Sequence, residues 1–336
     1  MRTETRAKYN KVMVELAKLN GVEKVSQKFN VTPTVQQKLE DKIQESSEFL
    51  KKINIFVVPE QSGSAVGLGI SRPIASRTNT DATERQATDP TSMDERFYFC
   101  RKTDFDTAIK YAKLDQWAKF KDFYSRFRGA IVKRQALDRI MIGFNGTSIA
   151  ANTDIAANPL LQDVNKGWLQ KMREENQSRV MKSGAVLNKI TIGKTGDYKN
   201  LDALVMNIVD EMIDDVHQGN RDLVVMCNRQ TVSDKYFPLV NKDQDNSEKL
   251  AADIIISQKR MGGLPVYSVP FFPEGIIFVT TFDNLSIYVQ EGARRRTVID
   301  NPKRDQIENY ESSNEDYYIE DLGLACMAEN IEIQPE

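Results

Sequence analysis

Residues 59–95 set the hardest constraint on any fold this chain can take. The stretch is rich in Ser, Thr, Gly and Asp, and its few apolar residues are scattered: Val66, Leu68, Ile70, Ile74 and Met93. So long a segment cannot bury enough apolar surface to offset the entropy of its own ordering. Inside a compact domain a connection of this length is either disordered or functional. A third solution is a hairpin arm that becomes ordered by lying on another subunit. Val66, Leu68 and Ile70 alternate with glycines and small residues, as in a half-exposed strand. Strand-like runs flank the segment at 53–58 and 96–103, and pairing between those two runs would close the arm.

The rest of the chain can bury itself. It has 336 residues, 40% hydrophobic and 28% charged, enough for one large domain or two closely joined ones. The longest helical signal covers about 112–144. There Leu114, Trp117, Phe120, Tyr124, Phe127, Ile131, Leu137, Met141 and Phe144 recur at steps of three and four, and no proline lies between Pro90 and Pro159. One continuous helix of that span is roughly 45–50 Å long. It implies an elongated, plate-like subunit, with the aromatic stripe packed in the core. Further helices are expected at 35–50, 161–176, 201–216, 231–237 and 247–256. Strands are expected at 223–226, 266–269, 275–280, 285–289, 296–300, 305–310, 317–320 and 323–331. The class is α+β, with no internal repeat.

Charge divides the chain unevenly. Residues 1–29 begin with an amphipathic helix whose Tyr9, Val12, Met13, Leu16 and Leu19 share a face, stopped at Asn20-Gly21. Seven basic residues against three acidic ones leave this segment at +4, so with a net charge of −2 the remainder carries −6. A basic appendage sits on an acidic body. That balance does not suit a free-standing nucleic-acid binder, although it leaves room for a local basic patch. No apolar run reaches the ~20 residues needed to span a bilayer, and the N-terminus has no signal-peptide core. A cytoplasmic protein is expected.

Little in the sequence suggests chemistry. Cys100, Cys227 and Cys326 form no CxxC pair and read as buried, inert thiols. The single histidine, His217, reads as a solvated residue at a helix end. Gly193-Lys194-Thr195 lacks the earlier glycine of a phosphate loop, since Asn188 stands there. Acidic pairs such as Asp214-Asp215 and Glu315-Asp316 read as solvated faces, and Arg294-Arg295-Arg296 as an exposed turn, with an inter-subunit or DNA contact as the minority reading. No metal, cofactor or catalytic residue is expected.

Long runs carry a much more specific signal. QESSEFLKKINI (44–55), KRQALDRIMIGFNG (133–146), NPLLQDVNKGWLQKMR (158–173) and the run 234–273 resemble the major capsid proteins of peduovirus-type (P2-like) tailed bacteriophages. So do DNLSIY (283–288) and the run 301–321. The resemblance covers essentially the whole chain and implies the Hong Kong 97-type capsid fold. On that pattern residues 1–29 are a scaffolding-type extension removed by a maturation protease, and 30–52 an N-terminal arm. Residues 53–103 are the extended hairpin arm, 104–179 the peripheral domain with its spine helix, 180–270 the axial domain, and 271–336 the strands returning to the peripheral domain. The cut is expected around Lys28, Phe29, Asn30 and Val31. The implied partners are the chain itself, as hexamers and pentamers, a scaffolding protein with its protease, a portal, packaged double-stranded DNA bound non-specifically, and decoration proteins as an optional addition. No membrane is implied. The subunit would assemble in the host cytoplasm and end in the virion. Three other readings stay open: an enzyme on an unfamiliar fold, an encapsulin-like compartment shell, and a domesticated prophage relic.

Overall fold

The computed structural model describes residues 1–70, 75, 77–80, 82, 84–85, 91–118, 120, 123–240 and 259–334. Helix α1 (Thr3–Asn20) ends at Gly21, whose left-handed φ of 64° lets its N–H reach back to the last turn. A two-residue strand β1 (Phe29–Asn30) precedes α2 (Pro33–Glu45), which opens on a proline that needs no N–H there. Next come β2 (Asn54–Val58), β3 (Ser62–Ile70), β4 (Thr91–Phe99), β5 (Arg101–Asp104) and β6 (Thr107–Lys110). Helices α3 (Tyr111–Trp117), α4 (Phe123–Asn145) and α5 (Trp168–Glu175) follow. After β7 (Val180–Met181) and β8 (Ile190–Ile192) the chain forms α6 (Leu201–Met212), α7 (Asp215–Gln218), β9 (Val224–Cys227) and α8 (Arg229–Val240). The final part is β10 (Arg260–Met261), β11 (Leu264–Ser268), β12 (Ile277–Thr280), β13 (Leu285–Gln290), β14 (Arg295–Asn301), β15 (Gln306–Ile319), β16 (Cys326–Ala328) and β17 (Ile331–Ile333).

Two sheets organise these elements. The first runs β1-β14-β15-β13-β2, and the long β15 also pairs with β5 and β6. The second runs β10-β11-β9-β12-β16-β7. The second sheet is buried on both faces, which explains its continuous apolar runs. Val224, Met226, Phe278 and Met327 face a core built around Trp168, Phe144 and Phe49. Their neighbours Val225, Cys227, Ile277, Val279 and Cys326 face a second core under α6. Gly143 and Gly167 are needed where α4 meets α5. A Cβ on Gly143 would lie 2.2 Å from the Trp168 ring, and one on Gly167 2.3 Å from the Gly143 carbonyl oxygen.

Several expected elements differ. The helix expected at 112–144 is two helices, α3 and α4. Ala118 caps α3, and its carbonyl accepts from the Lys8 ammonium at 2.6 Å, a side-chain partner at the point where the helix stops. Trp117 and Phe120, expected in the core, are 48% and 51% exposed and stack edge-on against each other. The helix expected at 161–176 starts only at Trp168. Leu161 takes a left-handed φ of 59°, and the loop after it gives the Gln162 carbonyl to the N–H groups of Thr147 and Ser148. The span 201–216 splits because Ile213 is extended between α6 and α7. Strand β2 pairs with β13, in parallel, and β4 pairs with β3, so the two flanking runs do not close the arm on each other. The runs 305–310 and 317–320 merge through polar residues into β15, because β5, β6, β13 and β14 satisfy its backbone on both edges. The run 323–331 is broken into β16 and β17. The helix expected at 247–256, and most of the arm between 71 and 90, lie outside the described residues.

Candidate maturation segment and the buried charge network beside it

Residues 28–31 lie along the edge of the first sheet. Phe29 pairs with Arg296 and Asn30 with Arg295 in antiparallel register. The Val31 N–H donates to the Arg294 carbonyl at 2.8 Å, and the Val298 N–H to the Val25 carbonyl at 2.9 Å. Exposure alternates as a strand requires: Lys28 and Asn30 face solvent, Phe29 and Val31 are buried. Helix α1 lies over this edge. Its Tyr9, Met13, Leu16 and Ala17 pack with Val25, Phe29 and Val31 onto Val298 and Ile307. Its polar ties are few. Arg6 pairs with Asp300, which also accepts from the Tyr111 hydroxyl, and Lys8 reaches Ala118. The Arg2 backbone N–H donates to Asp115 at 2.9 Å.

A different arrangement begins at α2. Glu40, 2% exposed, accepts from Arg139 of α4 and from Arg294, each at 2.6 Å through a separate carboxylate oxygen. Arg139, fully buried, makes a two-pronged contact with Glu315 of β15 at 3.1 and 2.7 Å. Arg294, also fully buried, donates to Glu311 at 2.8 Å and Gln135 at 3.0 Å. The planar guanidinium fork is what permits several carboxylates per arginine. Burial alone would raise the Glu40 carboxyl, but Arg139 and Arg294 outweigh it and hold it below the ordinary carboxylate range. Glu311 is held low in the same way, burial opposing and Arg294 and Arg296 prevailing. Beside this network Lys171 grips both oxygens of Asp316 at 2.9 Å.

Sequence reasoning missed this site. Glu315 and Asp316 are buried, whereas Asp214 and Asp215 are exposed as expected. Arg294 is interior, not part of an exposed turn, and only Arg295 of the triplet is exposed. A usable signal was present for Arg139: a charge set beside Ile140, Met141 and Ile142 on a helix that must bury that side.

The cysteines are placed as expected, whereas His217, expected in solvent, is half-buried. All three cysteines are free and buried, and burial pushes each thiol up to about 12. His217 sits in the short α7, its Nε2 3.0 Å from Asp321. Gly193, Lys194 and Thr195 form the turn after β8. Among the described residues there is no cluster of three or more His, Cys, Asp or Glu able to hold a metal ion, and no helix long and apolar enough to cross a membrane.

This architecture is shared with viral shells. Residues 8–331 match the family model described as phage major capsid protein, P2 family. The capsid protein of Escherichia phage P2 is 48% identical over 99% of this chain and 96% of its own length. The major capsid protein of Serratia phage KSP20 is 39% identical over 100% of this chain and 99% of its own. A chain of the satellite phage P4 procapsid, solved with a size determination protein, superposes with a TM-score of 0.83 at 44% identity, covering 99% of both chains. A capsid chain of an empty GTA particle shares the fold alone, at 15% identity, a TM-score of 0.54 and 85% and 90% coverage. The fold is therefore that of a Hong Kong 97-type phage capsid protein. Within that class, the chain belongs to the P2 family of phage major capsid proteins.

Proposed function

We propose that this chain is the major shell subunit of a tailed phage. It tiles as hexamers and pentamers into an icosahedral shell that packages double-stranded DNA, and it works by burial, without catalysis. It assembles in the host cytoplasm with a scaffolding protein, a protease and a portal, and ends in the virion. In this reading 53–103 is the arm laid on a neighbour, 104–179 the peripheral domain, 180–270 the axial domain and 271–336 the returning strands. Support for the arm comes from its flank: Phe97 and Phe99 are exposed aromatics on an edge ribbon that lacks a third strand among the described residues.

The observation that carries the maturation step is the change in anchoring across residues 28–31. Before them lies a helix held by an apolar face and a few partly exposed polar ties. After them lies a helix pinned by Glu40 to two buried arginines. A protease acting at Lys28, Phe29, Asn30 or Val31 would therefore release the first and leave the second in place. Loss of a segment carrying +4 would weaken attraction to packaged phosphate. Intact-mass measurement of subunits from filled particles should lack residues 1–29, and full-length chains there would refute the cut. Residues 59–95 contain no lysine, so the tip of the arm cannot supply an amine for covalent cross-linking. Mature particles should run as monomers on a denaturing gel, and a ladder of covalent oligomers would contradict this.

A further inference from the structure

Between α1 and the body runs a largely apolar groove of about 540 Å³. It is lined by Val12 from the extension and by Leu114, Phe120, Ile131, Val298 and Ile307 from the body. Lys8, Lys11 and the exposed Glu15 also line it, and Arg128 lines the adjoining cleft beside Val12, Glu15 and Leu16, so cations outnumber the one carboxylate of the extension there. Among the described residues neither Lys11 nor Arg128 forms a salt bridge. Such a trough fits one side of an amphipathic helix, whose apolar residues at steps of three and four enter it. The cationic rim calls for acidic residues on that helix's flanks. An apolar floor gives DNA phosphates nothing to bind.

The removable wall narrows the occupant further. The groove exists only while residues 1–29 remain attached, so whatever fills it is held before the cut and lost after it. Contacts between shell copies must outlast the cut, whereas those of an internal assembly partner need not. We propose that this groove binds an acidic-flanked amphipathic helix of the internal scaffolding protein, so that cutting off the extension dismantles the scaffold's binding site. The inference rests on the shell-subunit reading.

The three native cysteines are buried, so Ser125→Cys, at an exposed position lining the groove, offers one reactive thiol. The full chain carrying a benzophenone at that thiol is co-assembled with the scaffolding protein of the same phage and irradiated before maturation. The expected product is a shell–scaffold adduct whose cross-linked scaffold peptide is helical and acidic. Lys11→Glu with Arg128→Glu should lower its yield about tenfold, as reversed charges on a rim do. If shells form and mature but position 125 links only to another shell copy, or to nothing, this inference falls alone. If the unaltered chain forms no shells with scaffolding protein present, the shell reading falls instead.

Discussion

Two neighbouring helices, α1 and α2, are attached to the same sheet by opposite means. The first uses an apolar face, an edge strand and charges that water still reaches: the Arg6 and Asp300 side chains are 40% and 29% exposed. The second uses Glu40, whose carboxylate and both arginine partners are almost wholly out of water. Contacts of the first kind can be lost one at a time. Those of the second kind cannot, because removing one member strands the others, and a stranded buried charge costs far more than an exposed pair contributes. The contrast is between a segment held by separable contacts and one locked by a buried charge network.

The sharpest way to break this comparison is Glu40→Gln. It leaves Arg139 and Arg294 short of a negative charge and should cost about 3–5 kcal/mol of stability, read as a lowered thermal midpoint. A loss below ~1 kcal/mol would show that α2 is no better anchored than α1. The same site gives a pH signature. Glu40 and Glu311 are held below their ordinary values in the fold. Their contribution is therefore complete above the unfolded carboxylate pKa near 4.3 and fades as pH falls through the lowered values. The Gln variant should lose part of that acid sensitivity. On the other side, Phe29→Ala removes the buried side chain of the edge strand and should cost up to about 3 kcal/mol. The loss should be local: amide exchange should quicken at Val31 and Val298 and stay unchanged at Ile140. Smallest of all, Arg6→Ala removes a partly exposed pair and should change stability by less than about 1 kcal/mol.

The sequence revealed apolar strands and helix faces far better than it revealed polar pairing. Residues 223–226 and 285–289 could be read as strands because both faces of the second sheet, and the inward side of β13, are filled with branched apolar side chains. The run 311–316 could not, because it is polar and acidic. Its strand identity comes from partners contributed by segments around residues 101, 285 and 295. Arg294 was hidden for the same reason: only the fold brings Glu40 and Glu311 around it. Periodicity over 112–144 overreached because it records which residues are apolar and carries no information about the Lys8 ammonium at the Ala118 carbonyl. The candidate cleavage residues 28–31 were named in sequence only through the family resemblance. Their alternating exposure depends on β14, some 265 positions away.

The parallel pairing of β2 with β13 sets the timing of folding. Asn54 meets Ser286 across 232 positions, so β2 has no partner until most of the polypeptide has left the ribosome, whereas the β3–β4 ribbon can pair locally. Long-range closure of this kind folds slowly and late. A nascent chain still tethered to its ribosome therefore lacks the first sheet that must hold the base of its arm. Firm docking of the arm's base thus waits for the finished molecule.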